Sequence, residues 1–168
     1  GSDWGRLGDQ FNILYGGIDS KEVTERIADP SGAMGAIQRM MANEVACRQV
    51  PKDFARKPQD RLLFPGIEPD VVPAAGTEAK LRTTIVHLHQ RLLGRFDKSD
   101  SAEVDRTYEL FAGIIAEANE RGRFEPREIY SCRVQGEGDK RVEDPHYTMR
   151  AWRAVVTYLL RQHEFLYE

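Results

Sequence analysis

The sequence predicts an all-α chain: a helical bundle of about four long helices, with short helices and an ordered proline-rich crossover. Three observations predict it. Apolar residues recur at three- and four-residue spacing over stretches several helical turns long. N-cap acids or hydroxyls, prolines at first helical positions and glycine stops bracket those stretches. No segment alternates apolar and polar residues over a useful length, as a half-buried strand would.

Residues 3–19 hold Trp4, Phe11, Leu14 and Tyr15 without a helical stripe, and are expected to form an anchoring arm that turns at Gly16-Gly17. Asp19 and Glu22 make a capping box for a short helix over 20–28. Asp29-Pro30 opens a long helix, in which Met34, Ile37, Met41 and Val45 form the stripe to about Arg48, before Pro51 stops it. Residues 51–76 carry Pro51, Pro58, Pro65, Pro69 and Pro73, yet Phe54, Leu62, Leu63, Phe64 and Ile67 are too apolar for a free linker. A crossover with helical turns near 52–56 and 59–63 fits that mixture.

Thr77 is the expected cap of a helix over 77–93, striped by Leu81, Ile85, Leu88 and Leu92 and stopped by Gly94. Asp100 and Glu103 form a capping box for a helix over 101–121, striped by Val104, Tyr108, Phe111, Ile115 and Ala118 and stopped by Gly122. The two should pair as an antiparallel hairpin. Pro126 starts a brief helix toward Tyr130, and 133–143 reads as a loop or small hairpin. Asp144-Pro145 then opens a helix over 145–166, striped by Met149, Trp152, Val156, Leu159 and His163.

At 168 residues, with 40% hydrophobic and 30% charged, the chain can bury one core without metals. Gly1-Ser2 reads as a cloning scar and 3–168 as one helical domain cut from a larger protein. A net charge of −3, with its basic residues scattered, gives no case for nucleic acid or an anionic membrane. No apolar run approaches the ~18 to 20 residues of a membrane span. Cys47 and Cys132 have no CxxC, CxxCH or ligand-like Cys/His spacing, which removes zinc-ribbon, c-type haem and thioredoxin motifs. They are either a disulfide or two unrelated buried thiols.

Other constellations favour plain roles. His87 and His89 lie two apart on a helix, the wrong spacing for one metal, with His87 expected near the surface and His89 at the edge of the stripe. Residues 97–109 resemble a calcium loop, but Ala102 and Tyr108 stand where glycine and glutamate are required. Gly16 to Ser20 could face an anion but lacks a preceding strand and a phosphate-loop lysine. Met34, Met40 and Met41 read as core filler rather than haem ligands. Ser20, Ser31, Ser99, Ser101 and Ser131 lack a nucleophile-elbow context. No cofactor, metal or catalytic residue is assigned.

The stretches FNILYGGIDSKEVTERIADPSGAMGAIQRMMANEVACRQVPKDFA, RLLFPGI and AWRAVVTYLLRQHEFLYE resemble helical regions of large exported bacterial proteins of planctomycete-like and proteobacterial lineages. These regions form a helical domain of unknown function, sometimes linked to c-type cytochrome domains. The resemblance implies a periplasmic or extracellular location, and so favours a Cys47–Cys132 bridge. Scarcity of cysteine and the placing of both copies near element ends agree with that pairing. A bridge across so long a loop contributes roughly 4–5 kcal/mol in the chain-entropy model.

The function expected is a non-enzymatic structural or interaction module, packing against neighbouring domains of its parent chain or a protein partner. The alternatives are an accessory domain of a redox or degradative enzyme whose active centre lies elsewhere, and a small-molecule site in the aromatic N-terminal arm.

Overall fold

The computed structural model describes residues 32–122, 129–132 and 140–166, with backbone alone for 32–39, 129, 140 and 163–166. Expectations for the N-terminal arm, the 20–28 helix and the Asp29-Pro30 start lie outside these residues. The described chain is mostly helical: α1 (Gly32–Phe54), a 3-10 turn (Pro58–Asp60), α2 (Glu78–Leu93), α3 (Ala102–Glu120) and α4 (Thr148–Leu166). Two short strands, β1 (Ile129–Cys132) and β2 (Lys140–Glu143), pair antiparallel with Ile129 opposite Glu143 and Cys132 opposite Lys140. β1 corrects the expected brief helix toward Tyr130. Four residues are too few for periodicity to separate the two states.

Helix α4 is the centre of the packing, touching α1, α2 and α3. Its stripe buries Ala151, Trp152, Val155, Val156 and Leu159. Trp152 meets Phe111 of α3 at 4.1 Å and Phe64 at 5.3 Å between ring centroids. Phe64 in turn stacks on Phe54 at 4.3 Å. Leu81, Ile85, Leu88 and Leu92 complete the core from α2, and Val104, Phe111 and Ile115 from α3. Burial of such side chains contributes ~1.5–3 kcal/mol each.

Helix ends follow the sequence in some places and depart from it in others. Gly94 takes the left-handed conformation at φ 66° and closes α2, while Gly122 does so at φ 82° just beyond α3. Thr77 stands at the N-cap of α2, but its hydroxyl donates to Val72 O instead of capping. The cap of α3 is Ser101, whose Oγ accepts from Val104 N at 3.2 Å, rather than Asp100. Helix α4 begins at Thr148 because Tyr147 is left-handed at φ 64°, which breaks helical continuity from Pro145. Asp144 still serves that end, its carboxylate accepting from Met149 N at 3.0 Å and Arg150 N at 3.2 Å. Burial raises the Asp144 carboxyl above the ordinary range despite those two donors.

The largest departure is at Pro51, where α1 continues to Phe54 instead of stopping. Proline has no N–H to give the carbonyl four residues back, which belongs to Cys47. That carbonyl accepts instead from the Tyr130 hydroxyl of β1 at 2.7 Å. With its orphan oxygen satisfied from outside, the helix passes through the proline. Of the residues expected to form a separate turn near 52–56, those up to Phe54 are therefore the last turn of α1.

Candidate functional site: a staple between helix and hairpin

Cys47 and Cys132 form a disulfide with Cα atoms 5.6 Å apart, joining positions 85 residues apart in sequence. Both cysteines are only 3% exposed. The same turn of α1 thus carries the covalent bond to β1 and the carbonyl that receives Tyr130. Alternation along β1 places Tyr130 and Cys132 on one face, toward α1, and leaves Ser131 exposed. Burial pushes the Tyr130 phenol up to about 12, so its hydroxyl stays a donor at ordinary pH. Arg153 of α4 lies 5.9 Å from the centroid of the Tyr130 ring.

Below the staple, the end of α1 holds a polar clasp that sequence reading missed. Asp53 is buried, and its carboxylate accepts from Leu62 N at 2.8 Å, Leu63 N at 3.0 Å and Phe64 N at 2.9 Å. Arg61 is buried beside it. Its Nε donates to Arg56 O, its Nη2 to Phe54 O and its Nη1 to Ile67 O. Nη1 and Nη2 also fork onto Glu68 at 2.8 and 3.1 Å. These bonds satisfy carbonyls at the C-terminal end of α1 and seat Phe64 against Trp152. No motif in the sequence marks either residue, because their partners are mostly backbone groups.

His89 is not at the edge of the stripe but 1% exposed. Its Nδ1–H donates to Asp97 at 2.8 Å, and its Nε2 lies 2.9 Å from the Thr107 hydroxyl. The order Thr–His–Asp resembles a nucleophile with its base, but Thr107 is also 1% exposed and cannot meet a substrate. The set ties the 94–101 connection to α3. Burial lowers the His89 pKa, and the Asp97 carboxylate opposes that shift. His87 is half-buried, its Nε2–H donating to Leu62 O at 2.7 Å.

Among the described residues, no group of three or more His, Cys, Asp or Glu is placed to hold a metal. The acidic stretch resembling a calcium loop is spent on other bonds: Asp97 on His89 and Arg95, Asp105 on Arg82. Ser101 is a cap and Ser131 is exposed on β1. Met41 is core, whereas Met40 is exposed. An open groove of about 300 Å³ lies between Val72, Pro73, Ala112, Ile115 and His146. Among the described residues, no helix is long and apolar enough to cross a membrane. Compared with models of known protein families, with curated proteins and with solved structures, the chain matches none.

Proposed function

We propose that this chain is a non-enzymatic helical module of a larger exported protein, periplasmic or extracellular, that packs against neighbouring domains or a protein partner. The buried Cys47–Cys132 disulfide carries the reading. Structural bridges persist where thiols are not kept reduced, and this one is shut away from small reductants. Resemblance of its helical stretches to regions of exported bacterial proteins is part of the proposal and would imply the same location. In this reading the four long helices form the bundle, and 51–76 is its ordered proline-rich crossover. Burial of Leu63, Phe64 and Ile67 in that segment supports the arrangement.

Parallel expression in the bacterial cytoplasm and, behind an export signal, in the periplasm tests the proposal. Alkylation in denaturant before reduction should find no free thiol in the exported protein and two in the retained one. The retained form should also melt earlier. Two free thiols in folded exported protein would overturn the reading.

A further inference from the structure

Arg91 lies in the last turn of α2, partly exposed as a residue, yet its Nε and Nη2 atoms are buried and have no hydrogen-bond partner among the described residues. Two other guanidinium groups show what full partnering looks like here, whereas Arg48 leaves only its Nε buried without a hydrogen bond among the described residues. Arg61 places all three nitrogens on carbonyls and on Glu68, and Arg82 reaches Glu78, Asp105 and Ser99 O. Asp97, the nearest acid in sequence, has one oxygen on Arg95 and the other on His89.

The two orphan atoms are not an arbitrary pair. In a guanidinium, Nε–H and the adjacent Nη2–H point the same way and form its side-on edge. Two parallel donors at that spacing match the two oxygens of a carboxylate. An arginine keeps its charge, so burial without an acceptor is unfavourable until one arrives. Carbonyls at the C-terminal end of α2 favour the cation through the helix dipole but leave its edge open.

We propose that Arg91 is a carboxylate receptor, its Nε/Nη2 edge taking one carboxylate in bidentate fashion. Turning that edge outward breaks no hydrogen bond to a described residue, and the side chain is already partly exposed. A free small carboxylate and a glutamate side chain of another protein segment share this chemistry.

The test follows the arginine Nε–H resonances by NMR, with acetate added against chloride at matched ionic strength. The signal assigned to Arg91 through its loss in R91K should move downfield and saturate. Acetate should raise the melting temperature of the wild type but not of R91M. R91K, which keeps the charge but lacks the fork, should bind acetate about tenfold more weakly. Succinate saturating below N-acetylglutamate methylamide assigns the site to a small molecule, and the reverse order assigns it to a protein side chain. An Arg91 signal unmoved by acetate, or already at a bonded position without it, would overturn the proposal. Equal acetate responses in wild type and R91M would do the same, and should R91M not fold, R91K and the resonance decide.

Discussion

Helix α1 is tied to the rest of the chain twice within two turns, and the two ties work by different physics. At Cys47 the tie is covalent and reaches β1 across 85 residues. At Asp53 it is a carboxylate gathering three backbone N–H groups from residues 62–64, nine to eleven positions away. A disulfide acts chiefly by narrowing the unfolded ensemble. A buried carboxylate acts on the native state, where three donors would otherwise be unsatisfied. The long tie therefore acts mainly through the unfolded chain, and the short tie through the native one.

Removing the covalent tie should have the largest effect. C47A/C132A is expected to lose about 4–5 kcal/mol by the entropy of an 85-residue separation, measured by urea denaturation. Reduction of the wild type should reproduce most of it. Next comes D53A, at about 3 kcal/mol, because the N–H groups of residues 62–64 lose their acceptor inside the protein. D53N, which keeps one oxygen, should lose less. If D53A outweighed the double cysteine variant, the ranking of the ties would be reversed.

A smaller effect separates the staple's hydrogen bond from its sulfur bond. Y130F removes the donor to Cys47 O and should cost about 1 kcal/mol. In a P51A background the restored backbone N–H can serve that carbonyl, so the cost of Y130F should shrink. A double-mutant cycle reads the coupling directly, and additive costs would break the account of why α1 passes through its proline.

The smallest effect belongs to neither tie and serves as a control on pH. His89 has a lowered pKa through burial, so the unfolded chain binds its proton more readily than the folded one. Stability should then be flat above the ordinary histidine value of 6.5 and fall as pH drops below it toward the folded value. H89Q should flatten that slope in urea titrations between pH 7.5 and 5.

Much of the fold was legible because the signals were local. The Leu81 to Leu92 stripe and the left-handed Gly94 need only their own neighbours in sequence to be read. Pro51 misled because a proline stop assumes that nothing else will satisfy the carbonyl it orphans, and Tyr130 arrives from 83 residues away. The pairing of two scarce cysteines could be anticipated. The clasp could not, since Asp53 bonds to backbone groups whose identity no side chain announces. His89 was placed at the edge of a stripe because its burial depends on Asp97 and Thr107 returning from beyond a turn.

The Cys47–Cys132 bond also has a mechanical meaning. A pull applied at the two ends of the chain runs from α1 into β1 through sulfur and bypasses everything between. Helices α2 and α3 lie inside the bypassed loop. At ~3.3–3.6 Å per extended residue, close to 300 Å of slack stays locked while the bond is intact. Stretched between neighbours, the protein would yield only its flanks, and one reducing event would release the remainder as a single long extension.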